Sequence, residues 1–245
     1  MTFSIVARDP ETGAFGVAVA TRFFAVGALC PHAEGGVGAV ATQALINPLI
    51  GLDGLALLRA GVSAEAALKT LVDADPGRAA RQIHLQDGQG GGAAFTGEGC
   101  IGWCGHRLGR GFSVAGNMLA RAQVLEHTFD AYEAGMALPF PERLIAALKA
   151  GEAAGGDKRG RQSAALLIHT TEAYPALDLR VDDHGDPLSE LARLEAVSRE
   201  RFVHFAKFFA TRVQPGGIHD RAVIEAEIAR ATAGQCGSLS HATSA

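Results

Sequence analysis

The chain has few cysteines, no long apolar run and no strong excess of either charge. Four cysteines, Cys30, Cys100, Cys104 and Cys236, are too few and too unevenly placed for a disulfide framework in 245 residues, so they read as free thiols. No stretch approaches the roughly 18 apolar residues that would span a bilayer. Arg8 and Asp9 end the first apolar run too early for a secretory leader, and the expected compartment is the cytoplasm. A net charge of −4 lacks the positive field that recruits nucleic acid or an anionic membrane surface. Several motifs are also missing. There is no GK[ST] phosphate loop and no HExxH, GFSVAG at 111–116 misses a G-x-S-x-G elbow by one residue, and the glycines of DGQGGG precede a strand rather than a helix. Cys100, Cys104 and His106 lack a second ligand pair for structural zinc. No metal and no cofactor is expected.

What is present is a chain 48% hydrophobic and 20% charged, enough to bury a sizeable core. Residues 2–46 are small and β-branched, with glycine punctuation: TFSIVARD, the turn PETG, AFGVAVATRF and GVGAVATQAL read as adjacent antiparallel strands. Strand alternation puts Thr2, Ser4, Val6 and Arg8 on one face and Phe3, Ile5 and Ala7 on the other. A helix around Leu52–Arg59 and another capped by Ser63 follow. Strands return over 81–116, then a helix pair with stripes Leu125, Phe129, Tyr132 and Leu144, Ile145, Leu148. SAALLIHT and ALDLRVDD are two more strands, and Asp186 with Pro187 starts a further helix. Strands, helix pair, strands, helix pair, strands, helix is an order that supplies an α+β fold of four layers, two mainly antiparallel sheets with outer helices, rather than a doubly wound parallel sheet. The expected domain covers residues 1–200. Residues 201–234, with Phe202, Phe205, Phe208, Phe209, Ile224 and Ile228, form a helical extension whose apolar surface belongs either to the core or to a homodimer contact, and 235–245 form a flexible tail.

Thr2 is the first candidate for chemistry. A small second residue favours trimming of Met1, and a terminal threonine then carries a hydroxyl and an amine with a pKa of about 8, a nucleophile with its own base. GGDKRGRQSAALL at 155–167 sets Asp157, Lys158, Arg159, Arg161 and Gln162 in a glycine-rich turn ahead of an apolar strand, where they can hold an anion, and Lys158 can lower the pKa of a nearby amine. GNML at 116–119 ends a strand and opens a helix, so Asn117 is an oxyanion-hole candidate or a plain N-cap. DDHGDP offers Asp182, Asp183 and His184, explained either by capping or by a metal-assisted hydrolytic site.

The segments TFSIVARDPETG, FGVAVATRFFAVG, GVGAVATQA, AAFTGEGCIGWCGH, FSVAGNML and AAGGDKRGRQSAALL, in this order, resemble the bacterial family called domain of unknown function 1028, of the N-terminal-nucleophile hydrolase-like superfamily. The resemblance covers roughly residues 2–195. It implies an αββα sandwich and amide hydrolysis by an N-terminal residue, here Thr2. The expectation is an amidohydrolase for a small-molecule or peptide-like substrate, with Thr2, Asn117 and Lys158 catalytic and Asp157, Arg161 and Gln162 binding substrate. A non-catalytic ligand-binding protein on the same scaffold is the alternative.

Overall fold

The structure is a computed structural model and describes residues 2–239, with side chains through Ala233. Met1, whose removal the enzymatic reading needs, lies outside the described residues, as do residues 240–245 of the expected tail. The chain forms two compact units, one ending at Ala192 and the other starting at Arg193.

In the first unit, β1 (Thr2–Arg8), β2 (Phe15–Thr21), β3 (Pro31–Glu34) and β4 (Gly38–Ala44) lead to the helix pair α1 (Leu49–Arg59) and α2 (Ala64–Ala74). Next come β5 (Arg81–Asp87), β6 (Gly92–Thr96), β7 (Trp103–Gly109) and β8 (Phe112–Leu119), then α3 (Gln123–Ala134) and α4 (Phe140–Ala153). β9 (Ser163–His169), β10 (Leu177–Val181) and the start of α5 (Pro187–Glu200) complete it. The expected element order is there, with β3 and β7 as additions. β3 has four residues and β7 is largely exposed, so neither carries the apolar run that marks a strand in sequence. Ser63 caps α2, accepting from Ala66 N at 3.4 Å, and Asp186 caps α5, accepting from Ser189 N at 3.2 Å. One expectation needs correction: Asn117 does not open a helix. β8 continues through it to Leu119, and α3 begins only at Gln123.

The strands pair antiparallel into a six-stranded sheet of order β10-β9-β2-β1-β8-β7 and a four-stranded sheet of order β3-β4-β5-β6. Ala39 and Ala41 of the small sheet pack against Val6, Val17, Val19 and Ala165 of the large one, forming the layer between the sheets. Val40, Ile83 and Leu85 point the other way, against Ile50, Leu55, Leu58 and Leu71 of α1 and α2. On the far side α4 sits directly on β2, because Gly16 presents no side chain there. A Cβ on Gly16 would lie 2.6 Å from Leu144 Cδ1. Gly151 of α4 is equally tight, its absent Cβ 2.1 Å from Thr128 Oγ1 and 3.1 Å from Phe3. The fold is therefore α+β, a four-layer αββα sandwich. β1 lies at its centre, buried from Thr2 through Ala7, with Thr2, Ser4 and Val6 turned to the second sheet and Phe3 to the helices.

The second unit holds the rest of α5, α6 (Phe202–Phe205) and α7 (Arg221–Leu239). Arg201 grips Glu225 with two hydrogen bonds, of 2.6 and 2.9 Å, and the rings of Phe202 and Phe205 meet Phe209 edge-on. α7 runs on through residues 235–239, which the expected tail included. Among the described residues, no helix is long and apolar enough to cross a membrane.

Candidate active site

β1 begins with Thr2, and its register places Thr2 between Thr21 at the end of β2 and Asn117 near the end of β8. Thr2 Oγ1 lies 3.1 Å from Thr21 Oγ1. Both Thr2 and Asn117 open onto a cavity of about 420 Å³ between the sheets, into which β4 brings Gln43 and Ala44 from the opposite side. That volume falls within the roughly 300–1,000 Å³ of small-molecule sites.

A run of buried hydrogen bonds leads from the core to this cavity. Ser4, one pleat along from Thr2, donates its hydroxyl proton to Gln43 Oε1 at 2.7 Å. Its other contact, His84 Nε2 at 2.8 Å, must therefore be the donor, which leaves Nδ1 of the neutral ring to accept from Ser113 Oγ at 2.9 Å. Gln43 Nε2 donates to Gln82 Oε1 at 2.8 Å, and Asn117 Nδ2 donates to the same oxygen at 3.1 Å. Gln82 is fixed in turn by its Nε2 contacts of 2.9 Å to Thr96 Oγ1, Gly105 O and Gly116 O. Each amide along this path has one orientation that satisfies its neighbours, so the Asn117 side chain is aimed by interactions running through both sheets.

Titration sorts the nucleophile candidates. Burial drives His84 down to about 3, so the ring stays neutral, and Ser4 beside it is almost wholly enclosed, which removes the Ser4–His84 pair as a catalytic dyad. Cys30 and Cys100 line the cavity, but burial pushes the Cys30 thiol up to about 12 and raises Cys100 as well. Neither is a thiolate near neutral pH. Thr2 remains as the hydroxyl facing the space.

The 155–162 turn closes one end of the site. Asp157 bridges Leu119, the last residue of β8, and accepts from Arg22 N, just beyond the end of β2, at 2.8 Å. It thus links the ends of the two strands that flank β1. Gln162 N donates to Thr21 O at 3.0 Å, so the turn wraps the end of β2. Asp157 is buried and also accepts from Arg159 N at 2.7 Å and from the Arg159 guanidinium at 3.1 and 3.3 Å. Arg159 is the charged residue among the described residues lining the cavity. Lys158 is exposed and outside that lining, with Nζ 3.5 Å from where a Cβ on Gly102 would stand, beside the lining residue Ile101. Arg161 points away to Glu152 and, at 3.8 Å, to Asp186. Ser163 ties the Phe23–Val26 wall in place, donating to Phe23 O at 2.5 Å and accepting from Val26 N at 3.3 Å.

Backbone strain gathers around the same space. Ala44 and Met118, with φ of 72° and 53°, line the cavity, and Ala25, with φ of 52°, precedes the lining residue Val26. Non-glycine residues in this region cost on the order of 1 kcal/mol or more each and concentrate at functional sites. The DDHGDP segment serves structure: Asp182 pairs with Arg180 at 2.9 Å and His184 Nδ1 accepts from Asp186 N at 3.0 Å. Among the described residues no three His, Cys, Asp or Glu side chains converge as a metal site requires.

Thr2 thus lies on a central strand of an αββα sandwich and faces a cavity between its sheets. Residues 2–191 match the model of a family of unknown function, DUF1028, and the chain belongs to that family. The crystal structure of SPO2555 from Silicibacter pomeroyi, described as a DUF1028 protein, is similar at 34% identity and a TM-score of 0.83, over 90% of this chain and 96% of that one. Anbu (ancestral beta-subunit) from Yersinia bercovieri matches at 11% identity and a TM-score of 0.40, over 80% and 94% of the two chains. The search of curated proteins found no match.

Proposed function

We propose that the protein is an amidohydrolase whose nucleophile is Thr2, freed of Met1. Thr2 Oγ1 attacks an amide carbon while the α-amine of the same residue takes the hydroxyl proton. The carbonyl oxygen becomes an oxyanion, to which Asn117 offers the Nδ2 hydrogen not committed to Gln82. The amine passes its proton to the departing nitrogen, the C–N bond breaks, and an acyl ester is left on Thr2. Water then splits the ester, releasing a carboxylic acid and restoring the hydroxyl. Thr21 holds Thr2 Oγ1 in line, and Asp157 holds Arg159 at the cavity edge. No step calls for a cofactor.

The observation that carries this reading is the convergence of Thr2 and Asn117 on one cavity, with Thr2 hydrogen-bonded to Thr21 and Asn117 to Gln82. The test uses a panel of acyl p-nitroanilides with wild-type protein, Thr2→Ala, Thr2→Ser and a preparation bearing an uncleaved N-terminal tag. Turnover is expected in the wild type and, reduced, in Thr2→Ser, with none in Thr2→Ala or the tagged chain. Equal turnover in the tagged chain contradicts the proposal.

A further inference from the structure

The cavity has two chemically different ends. One part of the lining is aliphatic, with Val26, Ala44, Leu45, Ile46, Ala80 and Ile101 on its wall. Two of these, Leu45 at 67% and Ile101 at 64%, are strongly exposed for their type, an arrangement that marks a surface meant to be covered. The edge is basic, within a chain whose net charge is −4. Arg159 is held there in a fixed plane by Asp157, Lys158 Nζ stands beside Gly102, and Arg22 Nη1 is 3.2 Å from where a Cβ on Gly160 would lie. Against these three cations the turn sets one carboxylate, Asp157, so the edge carries a net positive charge that draws anions.

The order of events in acyl transfer assigns the two ends. After the first step the acyl group must stay bound as an ester while the amine leaves, so the acyl group belongs against the aliphatic wall and the amine at the basic edge. We infer that the substrates are N-acyl amino acids: an aliphatic acyl chain in the cavity, the scissile amide at Thr2 and Asn117, and the carboxylate of the amino-acid part at Arg159. This rests on the nucleophile reading of Thr2. Hydrolysis then yields a free fatty or branched aliphatic acid and a free amino acid, with water as the only co-reactant.

N-octanoylglycine, N-octanoylglycinamide and N-acetylglycine separate the two features. For the wild type, kcat/KM is expected to be at least tenfold higher for N-octanoylglycine than for either comparison compound. Arg159→Met is expected to lower it about tenfold and to erase the preference over the glycinamide. Ala80→Phe, which narrows the cavity, is expected to erase the preference over the acetyl compound. Calorimetric binding of the three compounds to Thr2→Ala reads the same preferences without turnover. If Thr2→Ala prefers N-octanoylglycine but the wild type hydrolyses none of the three, the nucleophile reading fails and the ligand class stands. If the wild type hydrolyses all three alike, and Thr2→Ala binds them alike, the nucleophile reading stands and the ligand class is overturned.

Discussion

The hydroxyls of Thr2 and Thr21 meet at 3.1 Å at the ends of two neighbouring strands. Thr21 is itself buried, and its carbonyl is held by Gln162 N, so the partner of Thr2 is held in place. Replacing Thr21 with valine keeps the shape and removes the hydroxyl. Thr21→Val should lower kcat about tenfold with little change in KM, as for an interaction made mainly in the transition state, while Thr21→Ser retains most activity; steady-state kinetics on one acyl anilide reads both.

Asn117 gives a larger effect. Loss of one donor to a tetrahedral oxyanion costs roughly 10²–10³ in kcat, and Asn117→Ala is expected in that range. Gln82 sets the direction of that donor, so Gln82→Leu should also depress kcat and lower stability, because Gln43 and Asn117 both lose their acceptor. Kinetics paired with urea unfolding separates the two variants, since Asn117→Ala leaves the Gln43–Gln82 bond in place.

His84 sets part of the acid limit of the fold. Its folded pKa lies near 3, against about 6.5 for a free imidazole, with burial as the main cause. Between these values the unfolded chain binds a proton that the folded chain refuses, so stability falls as pH drops from about 6.5 toward 3, with a limiting slope of about 1.4 kcal/mol per pH unit. Above about 6.5 the group contributes no pH dependence. His32, His106 and His169 are shifted downward as well, so the difference between wild type and His84→Gln isolates this residue. Denaturant unfolding from pH 7 to pH 4 should show a flatter acid limb for the variant.

Much of this site was hidden in the sequence for a reason that β5 illustrates. In RQIHLQD, Gln82, His84 and Gln86 alternate with Ile83 and Leu85, the pattern of a strand with one wet face. In the sandwich the apolar face meets α1 and α2 and the polar face meets the other sheet, so all three polar residues are buried. Only the stacking of two sheets, a long-range event, turns that face inward. Short-range features were legible: the shared face of Thr2 and Ser4, the helix pairs, the Ser63 and Asp186 caps and the layer order. The loop cations were not, because a turn has no periodicity to say whether Lys158, Arg159 or Arg161 faces the cavity. The local string GNML carries a helix-opening signal at Asn117, whereas pairing with β1 and β7 keeps the strand going.

At the opposite end of β1 a buried ion pair should govern stability and leave chemistry alone. Arg143 of α4 reaches Asp9 at 3.3 Å, with both side chains buried, and donates to Leu138 O at 3.1 Å. Breaking a buried pair strands the remaining charge and costs about 3 kcal/mol or more. Arg143→Met is expected to lose about that much in urea unfolding while keeping kcat/KM unchanged below the unfolding transition.

The most direct measurement is peptide-level mass spectrometry after reaction with an octanoyl epoxyketone, a heptyl ketone with the epoxide on its other side, whose ketone and epoxide close a six-membered ring only on a residue bearing a hydroxyl and a free amine on adjacent carbons. The expected result is a single adduct of full inhibitor mass on the peptide that begins at Thr2, with Met1 gone and activity lost in proportion. An adduct on any other residue, or a fully active chain still carrying Met1, contradicts Thr2 as the nucleophile.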